Sequence, residues 1–228
     1  MHDPVCAHLP DSTSIQERVT GLDRLRLLAS KPSIRFLLVT TVLLTILLAC
    51  FAKTLGSYFL ADDFGNVNYI SKICEGDWYR LLRNFAGPCM ELPAVCLYRP
   101  FLVVLLTLDY LIWKTNAFGY LLTNLLFVLG DALLVYAITR RLTIGWDESR
   151  STLVSLLSAA LFAANPLHCE CVSWVVEVGD TACCFFYLAS MLCFLRKGLT
   201  RHGATTFLGL LFFWIAMLTK EAALGLPA

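Results

Sequence analysis

The sequence FLLVTTVLLTILLACF, residues 36–51, is followed closely by Leu60-Ala61-Asp62-Asp63-Phe64. The first run holds no charged residue, and its length and composition predict a transmembrane helix that Lys53 closes. A carboxylate within hydrocarbon costs several kcal/mol, so two adjacent acids at the end of such a helix are candidates for function. The competing interpretation is that Asp62 and Asp63 only end the helix and face solvent.

The composition of the chain supports a membrane location. Of 228 residues, 58% are hydrophobic and only 15% are charged, against about 25% charged residues in a soluble domain. The formal net charge of +1 provides no basic field for nucleic acid. Most charges fall in short loops between long apolar runs, so the sequence predicts an all-α, polytopic membrane helix bundle.

The number of spans depends on one short segment, residues 101–113. As a helix it rises only about 20 Å, less than a hydrocarbon core of about 30 Å, so it is either a short span or a helix in the interface. The longer apolar runs after it are residues 120–138, 152–164, 182–195 and 207–218.

The basic residues favour the interfacial alternative. If residues 101–113 do not cross, the Arg and Lys clusters of residues 1–35, 140–150 and 196–203 share one side, as the positive-inside rule requires. We therefore predict five spans, with residues 1–35 as a cytoplasmic segment and 36–228 as a multi-pass transmembrane domain. Residues 54–119 become the first outer loop, in which the apolar spacing between Asn68 and Phe85 predicts an amphipathic surface helix.

This topology gathers chemically active side chains on the outer face. They are Asp62, Asp63, Arg99, His168, Glu170, Glu177, Asp180, Lys220 and Glu221. Clustered carboxylates and cations at one face predict a site, whereas the competing interpretation is a set of polar helix ends beside lipid headgroups. Cys169-Glu170-Cys171 beside His168 offers metal ligands, but the sequence has no second C-x-x-C or H-x-x-H pair, so no zinc site is predicted.

The motifs and their order resemble a known family. Asp62-Asp63-Phe64 after the first span, Tyr98-Arg99-Pro100 before a short helix, Asn165-Pro166-Leu167-His168-x-Glu170 and Lys220-Glu221 before Pro227 stand in sequence. In this order they resemble the GT-C superfamily of membrane glycosyltransferases, and most closely the N-terminal membrane region of the protein O-mannosyltransferases that carry tetratricopeptide repeats. Family members have further spans, so the chain resembles a fragment or a truncated homologue.

The resemblance implies a function and roles for the motif residues. The implied reaction moves a hexosyl or mannosyl group from a polyprenyl- or dolichyl-phosphate carrier to a hydroxyl of a protein or glycan acceptor at the outer face. Asp62 or Asp63 is the implied base. Arg99, His168 and Lys220 are candidates to bind the phosphate, while Glu170, Asp180 and Glu221 complete the predicted substrate-binding set. A divalent cation held by Asp62 or Asp63 with Glu170 is a further option, because hard cations prefer oxygen ligands.

Two other functions fit the sequence. Asp131 lies inside a span, where an acid must face the protein interior, pair or be neutral, and this supports a transporter component. A non-catalytic membrane scaffold derived from a truncated enzyme is the third option. The implied location is the cell membrane in a bacterium or the endoplasmic reticulum in a eukaryote, with the N-terminus in the cytoplasm.

Overall fold

The structure is a computed structural model that describes residues 32–92, 97–196 and 203–225. All regular secondary structure among these residues is helical, which confirms the predicted all-α class. The α-helices are α1 (Pro32–Phe51), α2 (Asp63–Cys74), α3 (Tyr79–Arg83), α4 (Pro100–Trp113), α5 (Ala117–Leu142), α6 (Glu148–Ala163), α7 (His168–Ser173), α8 (Val178–Arg196) and α9 (Gly203–Thr219). Short 3₁₀ helices cover Ala52–Gly56, Cys89–Glu91, Val175–Glu177 and Glu221–Gly225.

The chain divides into two compact units, residues 1–41 and 42–228. The described part of the first unit is the beginning of α1. There the hydroxyl groups of Thr40 and Thr41 each donate a 2.9 Å hydrogen bond to the carbonyl four residues earlier. These bonds satisfy the two hydroxyls inside their own helix, which suits threonine in an apolar environment.

The second unit contains a helix bundle in which α8 packs against α5 and α9, while α6 packs against α5. Gly130 is needed for one of these contacts, because a Cβ atom there would lie 2.8 Å from the ring of Phe185. Small residues allow helices to approach this closely. Close packing matters in a membrane because the hydrophobic effect does not drive helices together there. Local signals set two helix starts: Asn116 accepts from the Phe118 amide, and Asp147 accepts from the amides of Ser149 and Arg150.

The first loop is folded onto the bundle. Instead of one helix over residues 68–85, it forms α2 and α3, because Gly76 takes a φ of +139° and interrupts the helix. Ile70 and Ile73 of α2 are 1% and 0% exposed in a core shared with α4, α5 and α8. Burying each of these side chains stabilises the loop by roughly 2 kcal/mol.

Both ends of α4 lie at the same end of the bundle. Arg99, just before α4, pairs with Glu221 beyond α9, and the carbonyl of Lys114 after α4 accepts from the Tyr120 hydroxyl in the first turns of α5. A helix placed in this way lies across one end of the bundle, as expected of an interfacial helix. The five-span topology stays a prediction.

Among the described residues, three helical segments are long and apolar enough to cross a membrane: Ser33–Gly56, Ala117–Leu142 and Val175–Leu195. Pro100–Trp113 and Gly203–Thr219 are shorter apolar helices. The chain is thus a membrane protein by the length and composition of its helices.

Candidate active site

A cavity of about 370 Å³ opens at the end of the bundle where α4 and α5 begin and α9 ends. It is lined by Asp62, Asn66, Cys89, Met90, Leu92, Leu97, Arg99, Leu102, Trp174, Val176, Glu177, Gly179, Asp180, Thr219 and Lys220. Four of the residues predicted to be catalytic or to bind substrate therefore line one cavity, although they are spread over more than 150 positions of the chain: Asp62, Arg99, Asp180 and Lys220.

The two adjacent aspartates have different surroundings. Asp62 lines the cavity and is exposed, and its side chain makes no hydrogen bond or ion pair to another described residue. Asp63 is 0% exposed: its Oδ2 accepts from the Leu60 amide at 2.9 Å and its Oδ1 accepts from the Val176 amide at 3.2 Å. Burial raises the pKa of Asp63 despite these hydrogen bonds. Asp63 thus ties the first loop to the 3₁₀ helix Val175–Glu177, and Asp62 is the acid available to a ligand.

Arg99 is engaged by a carboxylate. Its Nε donates to Glu221 Oε2 at 2.9 Å, and its Nη2 contacts the other oxygen in a two-point pair. The hydrogen bonds from Arg99 hold the pKa of Glu221 at about 2. Because Arg99 also lines the cavity, its N–H groups that do not contact Glu221 are available to a ligand there.

Lys220 forms the second charge cluster of the cavity. Its Nζ contacts the carboxylate of Asp180 and lies 3.9 Å from Glu177 Oε2. Glu177 also lines the cavity. The sequence placed it on the predicted outer face but gave it no catalytic or binding role, although its spacing of three positions from Asp180 indicates a shared helical face.

The segment that carries Glu177 is held by Asn124 of α5. Asn124 is 0% exposed, and its Nδ2 donates to the carbonyls of Cys171 at 3.0 Å and Trp174 at 2.8 Å. These bonds satisfy the carbonyls where α7 ends and the chain turns into the 3₁₀ helix. A polar residue inside a span thus positions the wall of the cavity.

His168 and Glu170 are not brought to this cavity. Glu170 is exposed on α7 and does not line the cavity of about 370 Å³. His168 lines a second cavity, and its Nε2 lies 2.9 Å from the carbonyl of Phe162. Because a carbonyl only accepts, Nε2 carries the proton, and burial lowers the pKa of this imidazole. The geometry does not place Glu170 with Asp62 or Asp63 as a shared cation site.

Another set of groups could hold a cation. Ligand atoms of Cys171, Glu177 and Asp180 all lie within 4.8 Å of one another. The charged groups of the 370 Å³ cavity are otherwise arranged as opposed pairs, with Asp62 as the acid outside them. Such a cavity can take a proton at Asp62 and can donate hydrogen bonds from Arg99 and Lys220 to an anion.

Comparison with known proteins places this geometry in context. The protein O-mannosyl-transferase Tmtc1 of Drosophila melanogaster is 29% identical over 182 residues, covering 76% of this chain and 20% of that protein. Tmtc2 of the same organism is 32% identical over 151 residues, covering 64% of the chain and 15% of that protein. Human TMTC4 is 29% identical over 213 residues, covering 81% of the chain and 28% of that protein.

The chain therefore spans less than a third of the length of these relatives. No family model matches it, and no solved structure matches it. These matches confirm the predicted resemblance to protein O-mannosyltransferases, since the chain is similar to part of several proteins of that name.

Proposed function

We propose that the chain carries the sugar-transfer site of a membrane glycosyltransferase of the mannosyl type. The donor is a polyprenyl- or dolichyl-phosphate sugar, and the acceptor is a hydroxyl of a protein or glycan at the outer face of the membrane. The observation that carries the proposal is the cavity of about 370 Å³, where Asp62, which has no partner among the described residues, shares the lining with Arg99 and Lys220 in a chain similar to O-mannosyltransferases.

The proposed reaction assigns Asp62 to proton transfer. The acceptor hydroxyl gives its proton to the Asp62 carboxylate while its oxygen bonds to the anomeric carbon of the sugar. The bond from that carbon to the carrier phosphate breaks, and the phosphate oxygen leaves with the electron pair. Asp63 keeps the turn in place through its two backbone hydrogen bonds and takes no proton from the acceptor.

The donors of the cavity suit the phosphate and the sugar. Arg99 and Lys220 offer charged N–H groups, which stabilise the negative charge that develops on a leaving phosphate. The buried Nε1–H of Trp174 has no acceptor among the described residues and belongs to a side chain that lines the cavity. An oxygen of the sugar or the phosphate would satisfy it.

The test compares two Asp-to-Asn variants. Asp62→Asn removes the base, so transfer of labelled mannose from the lipid phosphate to an acceptor should fall by about 10²- to 10⁴-fold, with the amount of folded protein unchanged. Asp147→Asn is the matched control, because an asparagine at this helix start still accepts from the amides of Ser149 and Arg150. Undiminished transfer by Asp62→Asn would overturn the proposal.

A non-catalytic scaffold is the second candidate, favoured by the ion pairs that already engage Arg99 and Lys220. Under this alternative, the protein as purified binds no lipid phosphate sugar, and Asp62→Asn changes nothing measurable. Saturable binding of the donor that weakens in Arg99→Ala excludes it.

A further inference from the structure

The turn between α5 and α6 exposes large apolar side chains. Leu142 at the end of α5 is 62% exposed, and Ile144 and Trp146 in the turn are 60% and 59% exposed. Three such groups within five positions form a patch that water solvates poorly. A turn that faced water would be expected to show polar side chains at these positions.

The polar groups of the same turn face inward and fix its conformation. Thr143 is buried, and its hydroxyl lies 2.6 Å from the hydroxyl of Ser151 in the first turn of α6. Gly145 takes a φ of +94°, which glycine adopts without strain, and the amide of Trp146 donates to the carbonyl of Thr143 at 3.1 Å. The apolar side chains are therefore presented by a hydrogen-bonded turn.

The exposed patch continues the apolar surfaces of the two helices that it joins. α5, which ends at Leu142, is long and apolar enough to cross a membrane. On α6, Leu153, Leu157 and Leu161 are exposed at positions i, i+4 and i+8 and form one apolar stripe. The turn therefore lies where these helices leave the bilayer, and tryptophan is enriched at this depth. This continuity favours a lipid surface as the partner of the patch.

The charges beside the turn leave two arginines available to lipid. The carboxylate of Asp147 accepts from two backbone amides at the start of α6, and Glu148 pairs with Arg140 at 3.0 Å. Arg141 and Arg150 form no ion pair with a described residue. The predicted topology puts the turn on the cytoplasmic side, where anionic lipids of a cell membrane are concentrated and attract Lys and Arg.

We propose that this turn inserts Leu142, Ile144 and Trp146 into the bilayer interface and binds anionic phospholipids through Arg141 and Arg150. The apolar side chains enter the boundary between headgroups and acyl chains. The two guanidinium groups donate charge-assisted hydrogen bonds to phosphate oxygens of the surrounding lipids. A protein partner on the same patch would give no preference for the charge of the lipid.

The test measures the quenching of Trp146 fluorescence by brominated lipids, which quench a tryptophan only at close contact. The chain is reconstituted in vesicles of phosphatidylcholine and phosphatidylserine, with either one of the two lipids brominated. Because the chain has five tryptophans, the Trp146 signal is the difference between the wild type and Trp146→Phe. Brominated lipid should quench this signal, and brominated phosphatidylserine should quench it beyond its share of the bilayer.

The double variant Arg141→Gln/Arg150→Gln tests the recognition of lipid charge. One cation at an anionic surface favours binding by about fivefold, so the preference of the Trp146 position for phosphatidylserine should fall by at least about fivefold. Lys72→Gln is the matched control, because Lys72 is an exposed cation on α2 without an ion pair to a described residue. It should keep the preference. In the wild type, the preference should also weaken as salt is added.

Helical circular dichroism and a single gel-filtration peak establish that each variant is folded. The single variant Arg150→Gln changes one exposed side chain and gives a second measurement if the double variant is not folded. Quenching that is equal in the wild type and Trp146→Phe would overturn the insertion of the turn. A preference for phosphatidylserine that is absent from the wild type, or unchanged in the arginine variants, would overturn the recognition of anionic lipid.

Discussion

Asn124→Asp tests whether one buried amide holds the wall of the candidate active site. The substitution keeps the shape of the side chain but replaces the Nδ2 amide group with an oxygen. In the wild type, Nδ2 donates to the carbonyls of Cys171 at 3.0 Å and Trp174 at 2.8 Å, and the new oxygen would face these two carbonyls without a proton to donate. Two hydrogen bonds of roughly 0.5–1.5 kcal/mol each are lost, and the stranded buried acceptors add roughly 1–3 kcal/mol. The new acid can recover one bond only by taking up a proton, so we expect a loss of about 2–5 kcal/mol in the free energy of unfolding.

The measurement is the unfolding temperature of the protein in detergent, at one protein concentration and one scan rate. For a chain of this size, 1 kcal/mol corresponds to roughly 2–4 °C, so Asn124→Asp should lower the midpoint by at least about 4 °C. Binding of the proposed lipid-phosphate sugar should weaken in parallel, because Glu177 follows Trp174 by three positions and lines the cavity.

Asn116→Asp is the control on the same helix. Asn116 is exposed before α5 and accepts from the Phe118 amide at 3.2 Å. An aspartate accepts the same bond and adds a negative charge near a helix N-terminus, so its midpoint should stay within about 1–2 °C of the wild type or rise slightly. Equal decreases in the unfolding midpoint of the two variants would refute the reasoning, since the hydrogen bonds that Asn124 donates would then make no measurable contribution to stability.

Two further predictions concern the ion pair and the topology. The folded pKa of Glu221, about 2, lies below its ordinary value of 4.5, so the Arg99–Glu221 pair should contribute stability above pH 4.5 and lose it as the pH falls towards 2. Since Glu221 is half-exposed, that contribution is about 1 kcal/mol. The difference in unfolding midpoint between the wild type and Glu221→Gln should therefore shrink as the pH falls from 4.5 towards 2. A difference that stays constant over this range would contradict a stabilising Arg99–Glu221 pair. The second prediction tests the topology. Thr115→Cys should react with a membrane-impermeant thiol reagent added from outside, whereas Trp146→Cys should be protected. The reverse pattern would show that the predicted topology is inverted.

The sequence predicted the helical class because apolar runs of sufficient length can satisfy their backbone groups in a bilayer only as helices. It predicted an amphipathic helix in the first loop but could not predict that Gly76 would divide this helix into α2 and α3. Glycine permits a positive φ but does not require one, and the core in which Ile70 and Ile73 of α2 pack is completed by α4 and α5, which lie later in the chain.

The candidate site was predictable only in part, for an electrostatic reason. Charge and topology indicate which side chains share a face, but not which of them neutralise one another. Arg99 and Lys220 fit the requirements for phosphate recognition, and the fold gives each of them a carboxylate before any ligand arrives. Asp62 and Asp63 are equivalent in sequence, yet a donor 113 positions away, the Val176 amide, makes one structural and leaves the other facing the cavity.

The position of Asp180 links the two cavities. Its carboxylate contacts Lys220 on the side of the candidate active site, and the same residue lines the cavity of Cys184 and Asp131. A change in the charge of Asp180 would therefore act on both cavities, because the Lys220 ammonium group would lose its carboxylate partner on one side while the lining of the other cavity became less acidic.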